Sequence, residues 1–493
     1  MDLEERQLRR VIRKLEKREI EEIGEIDSKI SDCKIDYNSL LSSEQLNALG
    51  SIKGQYLVIA GAGSGKTRTI VYRSAFLLEK GVAPSSILMI TFTRKACYEM
   101  KERLEKILKK RDLKIRIMTF HSFCARLLYR YRNLFGIRGL KIIDDNKKES
   151  IIEEILKEKE IKDFKIDKRP TLEKIISYIS KLNISKEKLE DMYDKKQRRY
   201  IELIYERFCK YKKEKELFEF DDIIEEVVKK LTVNSCFLDH LRRKINYLIV
   251  DEYQDSNLLQ RNLLKLLVGS DGNLMVVGDD YQSIYGFRGA DFTNILKFGE
   301  DFPQAKLIKL ETNYRSTDEI IDYTNKIAHK FKLKYQKLAY GTGKKDGKIY
   351  KNQFRNEEKQ WEYICKKINK FYEDGIPYEE MAVLFRNRYA VKKLEKYLND
   401  FEIPFHRKEE NKQSGVSIYS VHGSKGLEWE VVFIPTLLEG VFPSCGTPEE
   451  LEEEKRLYYV ACSRAKKLLF LLYPKFYYEK TGYFDKKSQF LSY

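Results

Sequence analysis

Residues 57–71 read LVIAGAGSGKTRTIV: an apolar run, three glycines within five positions, the pair Lys66-Thr67, and a second apolar run. Ala60, Gly61, Ala62, Gly63, Ser64, Gly65, Lys66 and Thr67 satisfy [A/G]-x-x-x-x-G-K-[S/T], the pattern of a phosphate-binding loop between a strand and a helix. Glycines in such a loop let backbone N–H groups turn inward around a β-phosphate, and the helix start adds the positive end of its dipole. Lys66 is then placed to reach the β- and γ-phosphates, and the Thr67 hydroxyl to hold Mg²⁺. A second stretch, YLIVDEYQDSN at 247–257, runs an apolar strand into Asp251-Glu252. ATP hydrolysis needs two such carboxylates: Asp251 to bind Mg²⁺, directly or through water, and Glu252 to orient and deprotonate the attacking water. Each stretch alone also reads as a chance glycine turn or an ordinary strand end. In this order they point to nucleotide hydrolysis.

These groups need a rigid frame, and the spacing of apolar runs supplies one. YLVIA (56–60), ILMITF (87–92) and IRIMTF (115–120) read as buried parallel strands alternating with helices; strand runs return at YLIVDE (247–252), LMVVGDD (274–280) and KLIKLE (306–311). Between them, residues 124–215 are rich in Lys, Glu and Ile with helical periodicity and almost no strand signal, which marks a helical insertion. A second α/β pattern follows in KIYKNQF (348–354), EMAVLFR (380–386), VSIYSV (416–421), EVVFIP (430–435) and LLFLLY (468–473), broken by the hydrophilic HRKEENKQSG (406–415). Leu3, Leu8, Ile12, Leu15 and Ile23 fall at roughly helical spacing among paired charges, which predicts an amphipathic N-terminal helix. The expected fold is α/β: two recA-like P-loop NTPase domains, each a doubly wound parallel sheet, with a helical insertion in the first and an N-terminal helical extension. The expected boundaries are 1–36 for the extension, 37–123 and 216–308 for the two parts of the first domain, 124–215 for its insertion, and 309–493 for the second domain.

The 493 residues are 42% hydrophobic and 35% charged, enough apolar side chain for more than one core. A net charge of +17 favours polyanionic partners, nucleic acid first, against the plainer reading of lysine-rich solvated faces. Eight cysteines, at 33, 97, 124, 209, 236, 365, 445 and 462, contain no C-x-x-C pair. That spacing argues against a zinc module, an iron–sulfur cluster or a disulfide framework, and fits a reducing cytosol. The charged N-terminus has no apolar h-region, and no apolar stretch reaches about 18 residues, so neither a signal peptide nor a membrane span is expected; the expected location is cytoplasmic.

DEYQD (251–255), followed by VVGDDYQSIYGFRGA (276–290), LETNYRS (310–316), VHGSKGLEWEVVF (421–433) and RLYYVACSRAK (456–466), resembles the superfamily 1 DNA helicases of the UvrD/Rep/PcrA type, from about residue 41 to the C-terminus. The resemblance implies an ATP- and Mg²⁺-dependent translocase on single-stranded DNA that unwinds duplex in the 3′→5′ direction and works at single-strand/duplex junctions. It also implies roles. Gln45 matches the glutamine that reads the adenine edge, where an amide donates and accepts at once. Arg68 and Tyr314 match the pair that sandwiches the base, and Glu428 a ribose contact. Gln282 matches the γ-phosphate sensor that links hydrolysis to the DNA track. Arg315 and Arg464 match two arginine fingers on the second sheet, which assemble charge at the transition state only when the domains close. TFTRKACYEM (91–100) and TFHSFCARLL (119–128) resemble strand-contacting motifs. The implied DNA-facing set is Thr91, Phe92, Thr119, His121, Tyr285, Phe287, Arg288, Arg386 and His422. Within it Phe92, Tyr285 and Phe287 are stacking positions, worth roughly 1–3 kcal/mol per base. Arg288, Arg386 and His422 are polar or phosphate contacts. A core position is the structural alternative for Phe92, which follows a strand.

The larger relatives carry a second helical insertion, 2B, which would fall between IPFHR and VSIYSVHG. Only the short break near 406–415 stands there, so that insertion is expected to be absent, which puts its duplex contact and autoregulation in doubt. Phe287, Ser420 and Ser463 replace the family's usual tryptophan and two threonines while conserving the chemistry. The chain ends 29 residues after Arg464, and neither an appended nuclease nor a long partner-binding tail is expected. FYYEKTGYF (476–484) offers another stacking aromatic or a packed C-terminal turn. Two other functions compete. One is a translocase that displaces proteins or transcription complexes without processive unwinding, docking a protein partner through residues 1–36. The other is a non-enzymatic nucleic-acid-binding module with a vestigial site, which the intact set Lys66, Thr67, Asp251, Glu252, Gln282, Arg315 and Arg464 argues against.

Overall fold

In a computed structural model, the structure describes residues 3–20, 30, 33–166, 169–182, 194–286, 289–387, 390–407, 415–444, 447–479 and 482–493. Six runs of the first half pair in parallel: β1 (Gln55–Ala60), β2 (Ile87–Thr91), β3 (Arg116–Thr119), β4 (Tyr247–Val250), β5 (Asn273–Gly278) and β6 (Lys306–Leu310). Their spatial order is β3-β2-β4-β5-β1-β6. Every residue of β1 and β2 is buried, as continuous aliphatic text requires in a sheet covered on both faces. Alternation divides them between two cores. Leu57 and Ile59 pack with Phe123 and Ile224; Val58 and Ala60 pack with Ile70 and Met100. Because β4, β5 and β1 are neighbours, the loops leaving their carboxyl ends emerge side by side. Those loops carry Asp251-Glu252, the stretch Asp279 to Gln282, and the glycine loop.

The second half repeats the plan with β7 (Lys348–Phe354), β8 (Met381–Phe385), β9 (Phe405–His406), β10 (Val416–Ser420), β11 (Trp429–Ile434) and β12 (Ala465–Pro474), all parallel, ordered β7-β12-β11-β8-β10-β9. The chain is thus α/β with two recA-like parallel sheets. Several strands differ from the runs read in the sequence: LMVVGDD ends at Gly278, and the LLFLLY strand begins at Ala465. YLIVDE ends as a strand at Val250, because Glu252 adopts φ 53°, a left-handed conformation that leaves the ladder. The edge strand β9 is two residues long, too short to register as a periodic run.

Between β3 and β4, helices Asp145–Ile155, Leu172–Leu182 and Lys195–Lys215 enclose a separate core that includes Ile151, Ile155, Ile179, Ile204 and Phe208. The preceding helix, Phe120–Arg130, buries Phe123, Cys124 and Leu127 in the core of the first sheet. A two-residue parallel pairing, Lys141–Ile142 with Leu217–Phe218, closes the insertion at its root. The N-terminal helix Leu3–Glu16 buries Leu8, Ile12 and Leu15 against the first core, and Ile20 N–H donates to Leu307 O (2.9 Å) along the free edge of β6. Among the described residues, no helix is long and apolar enough to cross a membrane.

Candidate nucleotide site and its coupling to the second domain

The glycine loop leaves the end of β1 and enters helix Lys66–Glu79 through Gly65. Gly63 (φ 72°) and Gly65 (φ 79°) are both left-handed, and side chains there would collide: a Cβ would lie 2.6 Å from Asn313 Oδ1 or 2.8 Å from Gln45 Nε2. Contacts from two other segments brace the loop from outside. Gln45 Nε2 donates to Ser64 O (3.1 Å), while its Oε1 accepts from Ser42 N–H in the capping box of helix Ser43–Gly50. Tyr314 N–H donates to Gly63 O (2.9 Å), and Asn313 Nδ2 to Ala62 O (2.9 Å). Among the described residues, the Lys66 ammonium reaches only the carbonyls of Ala60 and Gly61, at 3.4 and 3.3 Å. Burial lowers its pKa, against the pull of Asp279, Glu252 and Asp251.

Asp251 and Glu252 face this lysine from the end of β4. Burial, reinforced by Glu252, pushes the Asp251 carboxyl up to about 7. Its Oδ1 accepts the Glu252 N–H at 3.0 Å. Burial also opposes charge on Glu252, but Lys425 and Lys66 outweigh it and hold that carboxyl below its usual range. Lys425, from the second domain, donates to Asp255 Oδ2 (2.5 Å) and to Gln282 O (2.7 Å) and sits 4.0 Å from Glu252 Oε2. Gln282 is held from both sides: its Nε2 donates to Asp279 Oδ2 (2.6 Å), and its Oε1 accepts from Arg464 Nη2 (3.2 Å). Arg464 is fully buried, with Nε on Val460 O and Nη1 on Leu427 O. Burial, then the repulsion of Arg315, lowers its pKa to about 9. Arg315 pairs with Glu428 (2.5 Å) and donates to Ser463 O (3.0 Å). The structure thus gathers Lys66, Asp251, Glu252, Gln282, Arg315, Arg464 and Glu428 at one seam between the sheets.

Other expected residues are placed differently. Arg68 is exposed, donates to Leu40 O (2.8 Å) and lies over the Tyr72 ring (5.1 Å) rather than pairing with Tyr314, whose ring is exposed. Thr67 lies in the first turn of its helix, half-buried. Thr91 is buried, and the Thr119 hydroxyl caps helix Phe120–Arg130 through Ser122 N–H (3.2 Å). Phe92 is half-buried, edge-on to Phe120 (6.1 Å). His121 stands edge-on to Phe220 (5.6 Å), and burial depresses its pKa. Arg386 is tied to Glu454 (2.7 Å). Tyr285 and His422 do meet, with the Tyr285 hydroxyl on His422 O at 3.4 Å. Phe287 and Arg288 lie outside the described residues, as does 408–414 of the reduced-insertion loop expected near 406–415.

Two lysines at the seam were not singled out from the sequence. Lys425 stands inside VHGSKGLEW, so the motif itself was a signal. Lys337 had none. After helix Asp318–His329 the chain turns back from the second domain, and residues 332–339 form a strap across the first. Tyr335 is buried in the first core, donating to Ile295 O (3.1 Å). Lys337 Nζ lies between Asp279 Oδ1 and Asp280 Oδ1, 2.5 Å from each, and 3.7 Å over the Tyr281 ring. The carboxylate that orients the Gln282 amide is therefore shared with an ammonium from this strap.

A metal fits here in one way. Among the described residues there is no cluster of three or more His, Cys, Asp or Glu side chains suited to a metal. Mg²⁺ asks for less: one or two carboxylates, with phosphate oxygens and water completing its shell. Asp251, buried at the strand end, and Thr67 at the helix start supply such a donor set.

Two family models match the chain. The model of the UvrD/REP helicase N-terminal domain matches residues 41–303, and that of the UvrD-like helicase C-terminal domain matches 308–412 and 406–475. An ATP-dependent DNA helicase PcrA of Staphylococcus epidermidis is 37% identical over 367 residues, 74% of this chain and 50% of its own length. The protein of the same name in Staphylococcus aureus is 35% identical over the same shares. The chain spans about half the length of these curated relatives.

Proposed function

The chain belongs to the UvrD/REP helicase family, and from that premise we propose that it is an ATP-driven motor that moves along single-stranded DNA and unwinds duplex in the 3′→5′ direction. The observation that carries this reading is the grip on Gln282. One end of its amide rests on Asp279 of the first sheet and the other on Arg464 of the second (2.6 and 3.2 Å). A side chain held by both domains registers their relative position, as coupling hydrolysis to movement requires.

ATP is the substrate. The backbone of Gly61–Gly65 and the Lys66 ammonium cradle its phosphates, with Gln45 against the adenine and Arg68 and Tyr314 on the faces of the base. Mg²⁺, held by Thr67 and Asp251, would neutralise charge on the phosphate oxygens. Glu252, kept ionised by Lys425 and Lys66, takes the proton of the attacking water. Arg315 and Arg464 stabilise the charge that develops on the transferred group, and only in the closed cleft. Hydrolysis removes the charge they hold, the cleft reopens, and alternating grip by the DNA-facing set, Tyr285 and His422 among them, converts each cycle into a step. The domain boundaries follow the two sheets and the separate helical core. The 2B insertion is reduced to the loop near 406–415, and the protein works in the cytoplasm at single-strand/duplex junctions.

The test is ATPase activity with and without single-stranded DNA, alongside unwinding of 3′-tailed and 5′-tailed duplexes. DNA-stimulated hydrolysis with preference for the 3′ tail is expected. Absence of stimulation overturns the motor; stimulation without strand separation replaces the helicase by a translocase that displaces bound proteins.

A further inference from the structure

On the N-terminal helix, Arg6, Arg10, Arg13 and Lys14, with Lys17 just beyond its last turn, are all exposed. At 3.6 residues per turn they fall within a stripe about 100° wide, opposite the buried Leu8, Ile12 and Leu15. The acids of the helix do not dilute that stripe. Glu4 pairs with Lys297 (3.1 Å), Glu5 with Arg9 (2.8 Å), and Glu16 Oε1 accepts Gln336 N–H (2.8 Å). Among the described residues, none of the five outward cations has a carboxylate partner. With Arg9 they line a shallow groove of about 510 Å³.

We propose that this face is a second DNA-binding surface, apart from the track across the two sheets, and that it takes the phosphate backbone of duplex DNA. Five like charges in a row, without carboxylate partners among the described residues, call for a polyanion, and three of the five are arginines, whose forked donors match phosphate oxygens. From residue 6 to 17 the helix advances about 16 Å, and one strand of B-DNA sets a phosphate every ~3.4 Å along the axis, so cations and phosphates are comparable in number. An anionic membrane is a poor occupant, because the apolar side that would enter it is already buried in the protein. Single strands are held largely by aromatic stacking, and residues 3–18 contain no aromatic side chain. Only the identity of the polyanion leans on the motor reading.

The test compares the full chain with the variant Arg6→Gln/Arg10→Gln/Arg13→Gln/Lys14→Gln/Lys17→Gln. Binding to a blunt duplex is followed by fluorescence anisotropy across about 50 to 200 mM salt. The variant should lose about tenfold or more in affinity, and its salt slope should fall by roughly 3 to 5. The single-strand-stimulated ATPase should be unchanged, and Arg6→Lys/Arg10→Lys/Arg13→Lys should keep the slope. An unchanged duplex slope overturns the proposal. So does a loss confined to single strands, or one seen on phosphatidylserine vesicles and absent on duplex. If neither protein shows DNA-stimulated ATPase but the duplex slope still falls, the motor reading fails and this surface stands.

Discussion

Two buried clusters of charge serve opposite ends. At the root of the helical insertion, Lys212 Nζ meets Glu219 (2.6 Å) and Asp222 (2.7 Å), and Lys148 meets the other oxygen of Glu219 (2.8 Å). Each of these ions finds an opposite ion directly. In the cleft between the sheets the pairing is incomplete. Among the described residues, Lys66 has only two carbonyls, Asp255 Oδ1 has no hydrogen-bond partner, and Arg464 is directed at carbonyls, Ser463 Oγ and an amide oxygen. Burying a charge is costly unless it is compensated. The root is therefore a joint, complete in itself, whereas the cleft leaves charge uncompensated, as the proposed nucleotide site requires.

The largest expected effect lies in the cleft. Lys66→Ala should reduce DNA-stimulated ATPase by about a hundred- to thousandfold, the usual scale for losing one preorganised electrostatic stabiliser. Binding of single-stranded DNA should be largely spared. The melting temperature should hold or rise, because burial already disfavours the ammonium. A marked fall in stability would show that the cleft is paired after all, and would erase the contrast with the root.

Lys212→Met reverses both readouts. It strands Glu219 and Asp222 without their shared cation, so unfolding stability should drop by roughly 3–5 kcal/mol. ATPase per folded molecule should stay near that of the parent, since the root lies outside the nucleotide site. Denaturant titration monitored by circular dichroism, with ATPase measured on the same samples, decides it. Arg464→Lys is a smaller perturbation. It keeps the charge but cannot hold Val460 O, Leu427 O and Gln282 Oε1 with one planar fork. The expected outcome is a fall in kcat of about tenfold with little change in KM, as for an interaction realised in the transition state. A change in KM alone would move Arg464 from finger to ground-state contact.

The contrast also explains how far the sequence could be read. The strands were legible because a sheet covered on both faces must be aliphatic throughout, and β1, β2 and β8 match their runs to within a residue or two. The glycine loop and Asp251-Glu252 were legible because their chemistry is local, contained within a few residues of one strand end. Lys337 was not. It lies in KYQKLAY, which has neither helical nor strand period, and its meaning comes from Asp279 and Asp280, more than fifty positions earlier. The Arg68 stack on Tyr72 was passed over for the opposite reason: a partner four residues along the same helix is too near to look like a motif.

The smallest expected effect is a pH dependence, and its sign separates the clusters. At the root, burial opposes charge on Glu219, but Lys212 and Lys148 prevail and hold its folded pKa below the ordinary carboxyl value. The stability it contributes is present above that ordinary value, about 4.5, and is lost as pH falls through the lower folded value. Asp255 in the cleft runs the other way. Burial lifts it to about 7 in spite of Lys425, so its ionised form disfavours folding, and acidification from neutral towards the ordinary carboxyl range relieves that cost. Lys212→Met should therefore cost most near neutral pH and progressively less below about 4.5, as Glu219 protonates. Asp255→Asn should instead flatten any gain in stability between pH 7 and 5. Urea titrations of both variants against the parent, carried from neutral pH to below about 4.5, would read the two signs directly, and equal behaviour would mean that both clusters are joints.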